Sequence, residues 1–148
     1  MFDAKDQPIA VVLHDVANKL KVRIDKKVRP YRLTRIKWMT LSILEKRNGL
    51  TQSELAHELG VNGSAIARLV RRMEDRDLIY RQNDKTDRRM VRVYIKETAR
   101  PVLDSLQIMS DEVAQEVLKG LTPKEQDHFL QALIIIKRNL LSLSQTVS

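Results

Sequence analysis

Small side chains and arginines occupy the polar positions of a short segment whose apolar residues have helical spacing. Its apolar stripe consists of Ile66, Leu69, Val70 and Met73. The other face carries Ser64, Ala65, Arg68, Arg71 and Arg72. A guanidinium presents a planar fork of donors that matches guanine O6 and N7 or phosphate oxygens, and small residues permit close approach. The segment therefore predicts a helix that contacts DNA, although the solvated face of an amphipathic helix would carry the same charges.

A second charged group, Asp87-Arg88-Arg89, lies between two segments with strand character. Leu78 to Arg81 precede it, and Val91 to Ile95 follow it with strict alternation of apolar and polar side chains. This pattern predicts a β-hairpin with a charged turn over residues 83–89. A basic hairpin beside an arginine-bearing helix indicates a DNA-binding wing, and a solvated hairpin tip is the alternative.

The residues before the arginine-bearing segment predict the element that holds it. Thr51-Gln52-Ser53-Glu54 has the spacing of a capping box, in which the Thr and Glu side chains satisfy backbone donors at a helix start. Gly60 suits the left-handed residue after that helix, and Asn62 can cap the next one. Two short helices joined by a turn that contains glycine predict a helix-turn-helix.

Amphipathic segments flank this region on both sides. They run from Ile9 to Val28, from Thr34 to Asn48-Gly49, and from Glu97 to Leu143 with a break at Thr122-Pro123. The first and last of these segments are remote from the arginine-bearing helix, and their apolar faces need a partner. A two-fold homodimer is the economical way to bury them.

These elements predict a mainly α fold with a small β-hairpin wing. It is a winged helix-turn-helix flanked by N- and C-terminal dimerisation helices. We expect an N-terminal dimerisation helix within residues 1–32, a DNA-binding domain within 33–96 and C-terminal dimerisation helices within 97–148.

The charge of the chain is segregated. Its 148 residues contain 27 basic and 19 acidic side chains, for a net charge of +8, which favours a polyanionic partner. Residues 19–37 hold nine basic side chains and one acidic, and residues 62–96 hold ten and five. Within the first block, Arg32, Arg35 and Lys37 are suited to phosphates. The lysines of residues 19–27 are better explained as side chains whose stems cover a dimer seam.

Several function classes are excluded by what the sequence lacks. There is no cysteine, and the three histidines have no metal-ligand spacing. No Gly-rich phosphate loop, nucleophile elbow or carboxylate pair is present, so we expect neither an enzyme nor a metal or cofactor. No apolar run approaches the ~20 residues of a membrane span, and no signal peptide is evident, so we expect a cytoplasmic protein.

The order of these motifs resembles the MarR family of transcription regulators, particularly its SlyA branch, over roughly residues 9–143. The resemblance rests on Leu33-Thr34 with Trp38 and Leu41, Gln52-Ser53-Glu54-Leu55-Ala56 with Gly60-Val61, Leu69 with Met73 to Ile79, and Asp87-Arg88-Arg89. It implies a homodimer that presents two recognition helices and two wings to a palindromic operator in double-stranded DNA.

The resemblance also implies roles for individual residues. Arg68 is the base-reading arginine of the recognition helix, and Arg88 or Arg89 enters a narrow A·T minor groove. Asp87 orients that wing arginine through a charge-assisted pair. Two positions depart from the family pattern: Asp77 replaces a glycine after the recognition helix, and Lys96 replaces a threonine cap.

Many members of the family respond to small aromatic anions such as salicylate. In this chain the candidate ligand residues are His14, Tyr31, Arg32 and Trp38, because an aromatic wall with a cation suits a carboxylate. For Trp38 a place in the core is the more common role.

Two other functions are open from the residues alone. An architectural protein that coats DNA with little sequence preference could use the same charge. A winged helix used only for protein contacts would have no need for arginines on both the helix and the wing.

Overall fold

A computed structural model describes residues 6–145 of the chain. Its helices are α1 (Ile9–Val28), α2 (Arg35–Lys46), α3 (Gln52–Leu59), α4 (Gly63–Glu74), α5 (Arg100–Val117) and α6 (Pro123–Gln145). Its strands are β1 (Ile79–Asn83) and β2 (Val91–Ile95), and 3-10 turns span Arg29–Tyr31 and Glu97–Ala99. The predicted fold class, a mainly α chain with one β-hairpin, is confirmed. The outer ends of the expected dimerisation segments, residues 1–5 and 146–148, lie outside the described residues.

The predicted caps set the starts of the central helices. Thr34 Oγ1 accepts from the Lys37 amide at the start of α2. Both hydrogen bonds of the capping box between Thr51 and Glu54 are formed at the start of α3. Asn62 caps α4 by accepting from the Ala65 amide at 2.8 Å. These caps satisfy amide groups that the first helical turn leaves without an intrahelical partner.

The described chain consists of two compact units, and the boundary between them falls within α5, after Ser110. The first unit contains the apolar core. All four residues of the predicted α4 stripe are buried there, with Leu41 and Leu44 of α2 and Leu55 of α3. Burial of an aliphatic side chain stabilises a fold by about 1.5–3 kcal/mol. This packing holds α4 with its arginine face outward.

The hairpin is a two-stranded antiparallel pair in which Ile79 lies opposite Ile95 and Asn83 opposite Val91. Its first strand extends two residues beyond the predicted end at Arg81. Before it, Asp77 adopts a left-handed conformation with φ +57°, the conformation that glycine favours at this position. The Lys96 ammonium binds the Asp77 carboxylate at 2.7 Å, so the two residues that depart from the family pattern contact each other.

Gly49 allows the turn between α2 and α3 to pass close to the hairpin. Its φ is +85°, and a β-carbon at this position would lie 2.7 Å from Tyr94 Cε1. We expect Gly49→Ala to lower the free energy of unfolding by at least ~1–2 kcal/mol, since the left-handed conformation alone costs that much. Gly63→Ala is the control, because nothing lies within 4 Å of the added carbon there. Urea unfolding of both variants tests this, and equal midpoints would contradict it.

Helices α1 and α6, each taken alone, expose apolar side chains. On α1 these are Ile9, Val11, Val12, Val16 and Val22, and on α6 they are Phe129, Leu130, Ile134, Ile135, Leu140, Leu141 and Leu143. No residue of α6 is buried. Among the described residues no helix is long and apolar enough to span a membrane. On each helix, exposed apolar side chains in such number are typical of an interaction surface.

Candidate DNA-binding surface

The outer face of α4 presents its arginines without acidic partners. Arg68, Arg71 and Arg72 are exposed, and no carboxylate of residues 6–145 forms an ion pair with them. Ser64 is exposed and donates to the Asn62 side chain at 2.9 Å, while Ala65 is half-buried. Three guanidinium groups are therefore available to acceptors outside the chain.

The tip of the hairpin is organised by Asp87. Its carboxylate accepts from the Arg89 amide at 3.0 Å and lies 3.6 Å from Arg89 Nε. The Arg89 side chain is 95% exposed, and Arg88 is exposed as well. Of the two wing arginines, Arg89 is thus the one that Asp87 contacts in the free protein.

The turn end of the hairpin is held by residues that the sequence patterns did not single out. Arg92 donates through Nε to Asp84 Oδ2 at 3.0 Å and through a terminal nitrogen to the Gly49 carbonyl at 2.8 Å. The Thr86 amide donates to the Asp84 carboxylate at 3.0 Å. That hydrogen bond is the largest cause of the lowered pKa of Asp84, and the Arg92 guanidinium contributes. This network joins the wing to the turn that precedes α3.

Further contacts brace the same strands. The rings of Tyr80 and Tyr94 stack with centroids 5.3 Å apart, and the Ile95 amide donates to the Asn48 side chain at 2.9 Å. The alternation of side chains in β2 places Arg92 and Tyr94 on one face of the hairpin. This alternation was the only feature of the sequence that could have indicated their part in bracing the strands. It could not indicate which distant residues they contact.

Arg35 lies at the first position of α2 and forms an ion pair with Asp25 of α1, 3.4 Å apart. Lys37 lies two residues after Arg35, in the first turn of α2. Among the described residues, no carboxylate lies within ion-pair distance of Lys37. The pKa of Lys37 is lowered by partial burial and then by the positive charges of Arg76 and Arg72. The start of α2 therefore lies close to the basic residues at the end of α4.

A cavity of about 370 Å³ opens between α2 and the first half of α5. It is lined by Trp38, Leu41, Ser42, Glu45, Lys46, Leu103, Leu106, Gln107 and Ser110. Of the four candidate ligand residues, Trp38 lines it, whereas His14, Tyr31 and Arg32 do not. Tyr31 and Arg32 instead accept hydrogen bonds from Arg76 through their carbonyl oxygens. Across residues 6–145 no group of three His, Asp or Glu side chains could hold a metal ion.

Comparison with known proteins relates this arrangement to a family. Residues 33–91 match the model of the MarR family. The structure resembles the transcriptional regulator SlyA with a TM-score of 0.84 and 22% identity, over 96% of this chain and all of that one. It also resembles a MarR transcriptional regulator of Methanosarcina mazei Go1, with a TM-score of 0.82 and 21% identity over 91% and 97% of the two chains.

A third similar structure concerns regulation by a small molecule. It is that of Bordetella bronchiseptica BpsR, whose DNA binding is regulated by 6-hydroxynicotinic acid. The TM-score is 0.77 and the identity 16%, over 88% of this chain and 99% of that one. At these identities the likeness establishes a shared fold.

Proposed function

We propose that the protein, whose residues 33–91 match the model of the MarR family, is a transcription regulator that binds a palindromic operator in double-stranded DNA as a homodimer. The observation that carries the proposal is the pair of exposed basic surfaces, the unpaired arginines of α4 and the arginines of the hairpin tip, within one braced unit. A dimer would present two such units about one helical turn of DNA, ~34 Å, apart.

Within this function Arg68 reads a base in the major groove. It lies near the middle of the exposed face of α4, and the small residues Ser64 and Ala65 precede it by about one turn. Arg71, Arg72 and Arg35 contact phosphates, and Arg35 would leave Asp25 to do so. One of the wing arginines enters the minor groove, and the contact with Asp87 favours Arg89.

A second copy of the chain covers the apolar residues of α1 and α6. Exposed leucine, isoleucine and phenylalanine side chains in such number are costly in water and typical of an obligate interface. In this arrangement residues 1–32 and 97–148 supply dimerisation helices, and residues 33–96 supply the DNA-binding domain.

A small aromatic carboxylate is the proposed effector. Support comes from the cavity beside Trp38, in which Lys46 supplies a cation, and from the 6-hydroxynicotinic acid of the similar BpsR structure. Bound ligand would change the spacing of the two recognition helices and thereby the affinity for the operator.

A fluorescence-anisotropy titration tests the function. The operator is a palindromic duplex selected from a random pool, and the comparison is a scrambled duplex of equal length. We expect the palindrome to bind on the order of 10³-fold more tightly at physiological salt. Saturating salicylate should weaken operator binding.

Each other outcome has a definite meaning. Equal binding of both duplexes, with a common decline as salt rises, would establish the architectural alternative instead. Unchanged operator affinity in salicylate would reject that ligand and leave operator recognition intact.

A further inference from the structure

Three cations converge where the end of α4 meets the start of α2. Arg72 and Arg76 are four residues apart, so they lie on one side of the helix end, just before and just after the last helical residue, Glu74. The Arg76 guanidinium donates to the carbonyl oxygens of Tyr31, at 3.3 Å, and Arg32. Since these carbonyls lie just before α2, this side of α4 faces the first turn of that helix.

Lys37 is the cation that α2 adds to this cluster. It occupies the first turn of α2, where its amide donates to Thr34. Partial burial, and after it the positive charges of Arg76 and Arg72, lower the pKa of the Lys37 ammonium, so the three like charges also repel one another.

Of the four acidic side chains Asp25, Glu74, Asp75 and Asp77, three are paired with cations outside the cluster. Glu74 pairs with Arg81 at 2.5 Å, and Asp77 pairs with Lys96. Asp25 pairs with Arg35. Asp75 forms no ion pair with any described residue. A cluster of like charges without a counter-ion is unfavourable, and a bound anion would relieve the repulsion.

We propose that Lys37, Arg72 and Arg76 together bind one phosphate of the DNA backbone, as an attachment point separate from the base-reading residues and the wing. The proposal rests on the proposed function, adds Arg76 to the DNA-contacting residues, and assigns Lys37 and Arg72 to the same phosphate as Arg76. Arg76 is held in position by the two carbonyls, so one charged group of the cluster is already placed before DNA arrives. Guanidinium and ammonium groups form strong charge-assisted bonds to phosphate oxygens.

The test is the salt dependence of binding for Lys37→Gln and Arg72→Gln, measured on operator and scrambled duplexes. Arg100→Gln is the matched control, because this exposed arginine pairs with Glu45 outside the helix-turn-helix and its loss changes net charge equally. Each cluster variant should reduce the slope of log K against log salt by about one per binding site, and it should weaken both duplexes by the same factor. The control should change neither quantity.

Arg76 needs two variants, because it also ties α4 to the segment before α2. Arg76→Gln should reduce the slope, and Arg76→Lys should restore it, since lysine keeps the charge. If Arg76→Lys and Arg76→Gln reduce the slope equally, Arg76 acts through the tie and not through phosphate.

Two results would overturn the proposal, and they differ from failure of the proposed function. Slopes unchanged from wild type in Lys37→Gln and Arg72→Gln would remove the phosphate contact, even if the palindrome is still preferred. A lowered melting temperature in both variants, with no change in the slope of log K against log salt, would show that the cations only stabilise the end of α4. Absence of any palindrome preference in the wild type would refute the function, and the slopes would still decide this site.

Discussion

Arg68→Ala is expected to remove most of the preference for the operator while leaving affinity for a scrambled duplex nearly unchanged. A bidentate contact between arginine and guanine discriminates by ~1–3 kcal/mol, and a dimer makes the contact twice. The physical reason lies in the exposure of Arg68 and the absence of an acidic partner among the described residues, which leave its fork of donors for a base edge. Competition titrations with both duplexes measure the ratio of affinities directly.

The wing variants Arg88→Ala and Arg89→Ala supply the contrast. An arginine that reads the potential of a minor groove or neutralises phosphate should weaken both duplexes more uniformly and reduce the salt slope. Arg100→Ala is a further control, since this exposed arginine pairs with Glu45 outside the helix-turn-helix. An Arg68→Ala protein with intact operator preference would refute the base-reading role.

Leu130→Glu is expected to convert the proposed dimer to a monomer and to reduce operator affinity on the order of 10²-fold or more, because two half-sites are then no longer bound by one particle. Leu130 is 58% exposed in the single chain, so the substitution removes little packing within it. At a two-fold interface the substitution also occurs twice. Sedimentation should give about 17.2 kDa for the variant and twice that mass for the wild type.

Gln131→Glu is the matched control for this experiment. It places the same side chain on the adjacent, exposed and polar position of α6. Circular dichroism should show equal helix content in both variants. A dimeric Leu130→Glu protein with full operator affinity would mean that α6 does not contribute to the interface.

The close approach of Gly49 to Tyr94 could not be predicted from the sequence. The pair Asn48-Gly49 indicated a helix end, and that prediction is confirmed by the positive φ of Gly49. The approach of the Tyr94 ring to within van der Waals distance depends on how the hairpin folds back over the turn. No pattern within either segment records that distance.

The helices, the caps and the hairpin could be read from the sequence because their determinants are local. A stripe such as Ile66 to Met73 repeats with the helical period, and a capping box relates residues only three positions apart. The pairing of strands with alternating side chains is short-range in the same sense. The candidate DNA-contacting arginines of α4 followed from those elements, because the apolar stripe defines the opposite face.

The tertiary structure alone decided which distant polar groups meet. Arg92 binds Gly49, 43 residues away, and Arg76 binds the carbonyl of Tyr31, 45 residues away. Asp77 and Lys96, which looked like two separate departures from the family pattern, form one ion pair. A hydrogen bond between segments so far apart leaves no periodic trace in either one. The chain's local patterns therefore determined its helices and strands. The packing of those elements determined how the wing is braced and where Lys37, Arg72 and Arg76 converge.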